Sequence, residues 1–309
     1  MAVTQEGLSS LENLYAKAYS GSIDLGLQQK NSRLGATIQV EAQVPKMAFY
    51  DRIETTEGQE DNIRGGDTPH NTVGTTRRMV TARHYEWGHL LEDRDKMNML
   101  ADPQSATVQA ALAWFNRNKD QKIIDAFEAT SYGGEDGDQT VAFDTSNQSI
   151  AVDYQEGGSG SNSGLTLGKL RQAKKLFALQ EVGLDDNSTD NNNGLIKCLV
   201  SPEQIQNLLA DSTATSQDYA AVKALVNGEF NTFMGFQFIQ TNQLPKSGNN
   251  RTCYFYTPDS MLMGRNPNPQ ISIAPNPQKK FKIQIYIKAS FGVTRMYEEK
   301  VIRCYCLED

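Results

Sequence analysis

Residues 102–129 read DPQSATVQAALAWFNRNKDQKIIDAFEA, the longest helical signal in the chain, and the other segments are arranged around it. Asp102 offers an N-cap oxygen, and Pro103 fits the first helical position, where a missing N–H costs nothing. Val108, Leu112, Phe115, Ile123 and Phe127 recur at helical steps, so one apolar stripe follows a rod of roughly 40 Å. Gly133 and Gly134 stop it. Asn116, Arg117, Asn118, Lys119, Asp120 and Gln121 interrupt the apolar run. This predicts that the middle of the rod is partly wet or faces another chain, which a compact enzyme core seldom allows.

With 309 residues the chain can bury a sizeable core in one large domain or two ordinary ones. Its 37 acidic and 30 basic residues give a net charge of −7, which argues against a surface that wraps duplex DNA by neutralising phosphates. Cys198, Cys253, Cys304 and Cys306 include no C-x-x-C pair and read as reduced, packed thiols. The first thirty residues carry Gln5, Glu6 and Glu12 without an apolar core, and the longest apolar run, Ala110 to Phe115, is far below the roughly 20 residues of a membrane helix. A soluble chain, made and used in a cytoplasm without membrane contact, is the expectation.

Ser9 and Glu12 form a capping box for a short amphipathic helix bearing Leu8, Leu11, Tyr15 and Ala18, followed by the polar arm DLGLQQKNSRLG. Ala36 to Val44 and Arg77 to Trp87 read as extended segments. The polar stretch EGQEDNIRGGDTPHNTVGTT between them suggests a long hairpin reaching out of the body, its tip ordered only against a neighbour. QTVAFDTSNQSIAVDYQ reads as a strand pair, and EGGSGSNSG as a flexible boundary. Thr166 then opens a helix with Leu167, Leu170, Ala173 and Phe177 inward and Gly183 as its left-handed cap. GLIKCLV reads as a strand buried on both faces. Ser201, Pro202 and Gln204 are N-cap, first-turn proline and capping-box partner of the next helix, and DYAAVKALVNG is another. FMGFQFIQTNQLP and TCYFYTPDSMLMG each contain a strand, which makes the middle third an α/β domain. The ending alternates: Phe281, Ile283, Ile285 and Ile287 share one face, opposite Lys280, Lys282, Gln284 and Lys288. Val301 to Leu307 is read as the antiparallel mate of this ribbon, which would cover the stripe of the long helix.

Candidate chemistry is sparse. His84 and His89 stand five apart, about 140° around a helix and on opposite faces of a strand, which suits no metal pair. GLTLGKL lacks a spacer and the Ser/Thr after Lys169 that a phosphate loop requires. Asp185 to Gly194 is rich in oxygen ligands but lacks the glycine of a calcium loop. Glu298 with Glu299, and Asp185 with Asp186, read as solvated faces. The sequence therefore nominates no catalytic, cofactor-binding or metal-binding residue.

The order of parts carries more. Terminal arm, projecting hairpin, long helix, α/β domain and final ribbon together resemble the Hong Kong 97 fold of tailed-bacteriophage major capsid proteins over nearly the whole chain. The most family-like text is KALVNGEFNTFMGFQFIQTNQLP, residues 223–245, with the strand Cys253 to Tyr256 and the ending GVTRMYEEKVIRCYC. The resemblance implies an α+β fold with an N-terminal arm at 1–35 and an extended loop at 36–92. It implies a peripheral domain at 93–164 and 265–309 with spine helix 102–129, and an axial domain at 165–264. In that frame Leu112 and Phe115 are buried within the chain while Arg117 and Lys119 are available for contacts.

The resemblance also implies function. Copies of one chain assemble as hexamers and pentamers into an icosahedral head around double-stranded DNA, without sequence-specific binding and with no enzymatic activity. Scaffolding and portal proteins, and a cement protein, are implied partners. Some relatives join subunits through a lysine on the extended loop, but 52–95 contains none and Lys46 lies outside it, so covalent cross-linking is not expected. Because the arm begins near Met1, a separate scaffold protein is expected. An encapsulin-like host shell and an α/β enzyme without a recognisable motif are the alternatives.

Overall fold

A computed structural model describes residues 29, 31–54, 56–58, 60, 71–91, 103–182, 196–210, 232–268 and 270–308. The expected N-terminal helix, the hairpin tip at 61–70, the loop Asp185 to Gly194 and the helix Asp218 to Gly228 lie outside them. The described residues divide between two compact units. The smaller draws on 1–30, 86–115 and 270–288, and the larger on 31–85, 116–269 and 289–309.

Three helices are present among the described residues: α1, Pro103–Glu128; α2, Leu167–Leu179; and α3, Pro202–Ala210. The larger unit is built on a seven-stranded sheet. Its order is Thr232–Phe233, Phe236–Gln240, Ile196–Val200, Asn250–Tyr256, Val301–Leu307 and Ser149–Ile150, with Lys246–Ser247 paired to Asn250–Tyr256. Ile196–Val200 sits between a parallel and an antiparallel neighbour, and Cys198, Leu199 and Val200 are all fully buried, as predicted, with Lys197 buried among them. Tyr254 and Tyr256 lie on one face of the adjacent strand and meet Phe127 of α1 at 4.8 and 4.9 Å between ring centroids. Phe255, on the other face, meets Phe236 at 5.1 Å. The apolar sides of α2 and α3 join the same core.

Helix α2 follows its sequence closely. Thr166 Oγ1 accepts the Lys169 N–H at 3.3 Å, and Leu167, Leu170, Ala173 and Phe177 are all buried. Its end differs from expectation. Glu181 takes the left-handed conformation (φ 55°), with Val182 N donating to Phe177 O and Glu181 N to Ala178 O, a Schellman closure; Gly183, the expected cap, lies outside the described residues.

Three strand pairings depart from the sequence reading. Val301–Leu307 does not pair with the ribbon: it lies antiparallel to Asn250–Tyr256, and Lys282–Arg295 pairs instead with Gln270–Asn276 and Met261–Arg265. Alternation identifies a half-buried strand without naming its mate. Gln39–Ala42 runs parallel to Met261–Arg265, and the hairpin partner of Thr75–Thr81 is Met47–Ile53. The chain turns between them at Pro45, where buried Gln43 donates to Pro45 O and Val80 O, both at 3.0 Å. Gln139–Val141 pairs with Ser131–Gly133, whereas Ser149–Ile150 joins Val301–Leu307, so that stretch is not a strand pair.

The glycine-rich segment after it is held rather than slack. Tyr154–Gln155 and Gly158–Ser159 form a small hairpin, Gly160 N donates to Asp153 O, and Leu307 N donates to Ser163 O.

Candidate functional site

The polar middle of α1 has a specific occupant. Asp120, only 1% exposed, accepts Ser32 Oγ at 2.5 Å, Arg33 N at 2.9 Å and Leu34 N at 3.3 Å. Ser32 Oγ in turn accepts Gly35 N, and Leu34 is fully buried. A carboxylate that satisfies backbone donors of an irregular arm replaces the water those donors would otherwise need. Asn116 to Gln121 is thus partly an internal docking surface. Arg117 and Lys119 are half-buried rather than free, and burial, then Arg265, lowers the Lys119 pKa. Phe115 is buried as expected, but Leu112 is 43% exposed; its neighbours Ala111 and Ala113 are buried in its place. The 3.6-residue period fixes spacing along a helix but not which side becomes interior.

The hairpin stands on a second set of charges. Glu298 accepts Arg78 Nη2 at 2.8 Å and Arg52 Nη1 at 3.4 Å, while Arg52 also donates to Met296 O at 2.9 Å. Glu298 is therefore an anchor and not the solvated group its sequence suggests; Glu299 beside it is exposed. Behind this clamp Val80, Leu262 and Met296 pack with Tyr50 and Tyr297. On the opposite face of the hairpin sheet, Phe49, Met79, Tyr132 and Thr140 form one row across four strands. Phe49 and Tyr132 remain 38% and 45% exposed. A groove of ≈ 380 Å³ continues from Met79 and Tyr132 past Tyr85 to Phe291. Such a face is suited to cover by another surface and offers no convergent reactive groups.

Two buried cations close the larger unit. Arg295, fully buried, donates to Phe127 O at 2.6 Å and Ala129 O at 3.1 Å, which places a cation where the last turn of α1 leaves carbonyls open. Burial lowers its pKa. Lys169, read from sequence as part of a helix start, donates through Nζ to Val152, Ser163, Gly164 and Tyr305 carbonyls at 2.7–3.0 Å. Near the C-terminus, Glu308 takes Arg251, Ser201 Oγ at 2.7 Å and Gln204. The Arg251 guanidinium holds its pKa down at about 2 against the opposition of burial. Ser201 and Gln204 thus serve Glu308 and Leu165 N rather than the capping box their spacing suggests.

The other sequence candidates do not converge. His84 and His89 lie exposed on Arg83–Leu91, His89 beside Trp87 at 6.0 Å. Asp185, Asp186 and the loop to Gly194 lie outside the described residues. Among the described residues no group of three His, Cys, Asp or Glu side chains is placed to hold a metal. All four cysteines are buried free thiols; Cys304 and Cys306 sulfurs lie 3.8 Å apart. Among the described residues these groups hold segments of the one chain to each other and do not converge on a common point. Sequence reasoning missed Asp120, Glu298 and the strand MAFYDRI. Only the last left a local signal, in the alternation of Met47, Phe49, Asp51 and Ile53 with Ala48, Tyr50 and Arg52.

Comparison with known proteins gives one consistent result. The sequence profile of the phage capsid protein family matches residues 11–308. No curated protein matches. Among solved structures, the capsid of Ralstonia phage GP4 superposes with a TM-score of 0.72 at 10% identity, covering 95% of each chain. The capsid of cyanophage Pam1 gives 0.66 at 11%, covering 94% of this chain and 96% of that one. The capsid of Helicobacter pylori bacteriophage KHP30 gives 0.66 at 11%, covering 99% of both.

Proposed function

We infer how this chain works from one premise: it belongs to the phage capsid protein family. It has the Hong Kong 97-type fold and is a major capsid protein, a structural protein of the virion shell. The observation that carries this is the extent of the match, from residue 11 to residue 308, with the fold followed along 95% of the chain.

From that premise, copies associate as hexamers and pentamers that close into an icosahedral head around double-stranded DNA. The arm is 1–35 and the extended loop 36–92. The peripheral domain takes 93–164 and 265–309, and the axial domain 165–264. A net charge of −7 suits a wall that faces a polyanion without gripping it. Scaffolding, portal and cement proteins are the partners, and assembly takes place in the host cytoplasm. No described helix is long and apolar enough to cross a membrane. Subunits are held without covalent cross-links, since 52–95 carries no lysine.

Electron microscopy of the expressed full chain tests the reading. Closed shells of regular size are expected, and enclosed enzyme instead of DNA in the native particle would move the chain to a host compartment. On reducing SDS gels the mature particle should give a monomer band; a ladder above it would contradict the uncross-linked shell.

A further inference from the structure

A small pocket of ≈ 110 Å³ lies where the end of α2 meets the turn that precedes Ser149–Ile150, wholly within the larger unit. Leu176 and Leu179 from the last turn of α2, with Ile302 from Val301–Leu307, supply its apolar surface, and Asn147, Gln148 and Glu299 supply polar surface. Ile302 is buried whereas Leu179 is 67% exposed, so the apolar wall runs from the core out into solvent. The floor is fixed by backbone bonds: Gln148 N donates to Asp144 O at 3.2 Å, Arg303 N to Gln148 O at 2.9 Å, and Ser146 N to Asp144 Oδ1 at 2.9 Å.

The polar groups are acceptors in want of a donor. Gln148 is only 6% exposed, and its Oε1 accepts no hydrogen bond among the described residues, a costly state for a buried carbonyl oxygen. Asn147 gives its amide N–H to Asp144 Oδ2 at 2.8 Å, which leaves its Oδ1 to accept. Glu299 is exposed and enters no ion pair among the described residues. Helix α2 ends here with no basic residue in its last turn, so the negative end of its dipole adds to the same sign. No cationic side chain lines the pocket.

We propose that this pocket binds a primary alkylammonium group. Its methylenes lie along Leu176, Leu179 and Ile302, and its N–H donors serve Gln148 Oε1, Asn147 Oδ1 and the Glu299 carboxylate. Other classes fit less well. A carboxylate or phosphate would meet Glu299 and the helix end with like sign, a neutral alcohol brings one donor and no charge, and a quaternary ammonium brings charge and no donor. Two sources offer the group: the lysine side chain of a second copy, which rests on the shell reading, and a free alkylamine in solution.

Equilibrium dialysis of radiolabelled n-butylammonium against the full chain, kept unassembled by dilution, tests the site. Saturable binding is expected, displaced by unlabelled n-butylammonium but not by n-butanol or tetramethylammonium at the same concentration. Glu299→Gln and, separately, Gln148→Leu should each weaken it roughly tenfold, as the loss of one hydrogen bond to a charged group would. Glu299 is exposed, so the first variant should keep the parent's thermal midpoint, and its result stands even where Gln148→Leu fails to fold. Displacement by n-butanol would reduce the pocket to an apolar crevice, and displacement by tetramethylammonium to a patch of negative charge. Either result overturns the proposal, as does unchanged binding by the Glu299→Gln chain or no saturable binding by the parent. Assembled shells then separate the sources. A pocket filled by a neighbour's lysine takes up no amine once the shell has formed, whereas a site for a free amine binds equally before and after assembly. A parent chain that never associates contradicts the shell reading and leaves the dialysis result standing.

Discussion

Asp120 concentrates three hydrogen bonds from the arm on one buried carboxylate, so its loss acts on the backbone that it satisfies rather than on itself alone. Asp120→Ala should destabilise the chain by about 2–3 kcal/mol in urea unfolding, because Arg33 and Leu34 N–H groups lose their acceptor in a site with little water. Lys119→Glu would set a second carboxylate beside Asp120 in a partly desolvated site, so charge reversal there is expected to cost stability as well as to alter assembly. Glu308 gives the pH dependence. Its folded pKa, about 2, lies below the ordinary 4.5, so its contribution is complete above pH 4.5 and disappears as pH falls towards 2. The effect is worth about 2–3 kcal/mol. Glu308→Gln should therefore lower stability at neutral pH and flatten the acid limb between those values, as followed by thermal unfolding across pH. A variant whose acid limb matches the parent would place the acid sensitivity elsewhere.

Among elements, α1 offers a paired test of which side is interior. Phe115→Ala should cost about 3–5 kcal/mol, whereas Leu112→Ala, four-tenths exposed, should stay within about 1 kcal/mol of the parent. Equal losses would mean that the stripe read from the sequence is the buried one after all. At the end of α2, Glu181→Gly should raise the unfolding free energy by about 0.5–1 kcal/mol, since glycine takes the left-handed cap without a Cβ clash. What was legible in the sequence was local. Thr166 and the inward residues Leu167, Leu170, Ala173 and Phe177 are decided by chemistry within one helix, and GLIKCLV by its own composition. What was not legible was distant. Nothing within VIRCYCL distinguishes Asn250–Tyr256 from Lys282–Arg295 as its mate, because both are extended segments that offer apolar residues to a neighbouring strand. A polar run such as Asn116 to Gln121 reads the same whether it meets water or, as at Asp120, the donors of an arm 86–88 positions away.

At the scale of the whole molecule the same charges act at two ranges. The net charge of −7 makes approaching copies repel one another through solvent, and that long-range term is screened once the Debye length falls to about 10 Å near 0.1 M salt. Ion pairs at a formed contact lie closer than that length and are partly shielded from water, so they weaken only at higher ionic strength. Assembly followed by light scattering should therefore quicken as salt rises to roughly 0.1–0.2 M and slow again towards 1 M. The descending limb belongs to opposed charges held close together where copies meet. A chain whose association rises monotonically to 1 M would mean that apolar burial alone holds neighbouring copies together and that opposed charges contribute nothing to the contact.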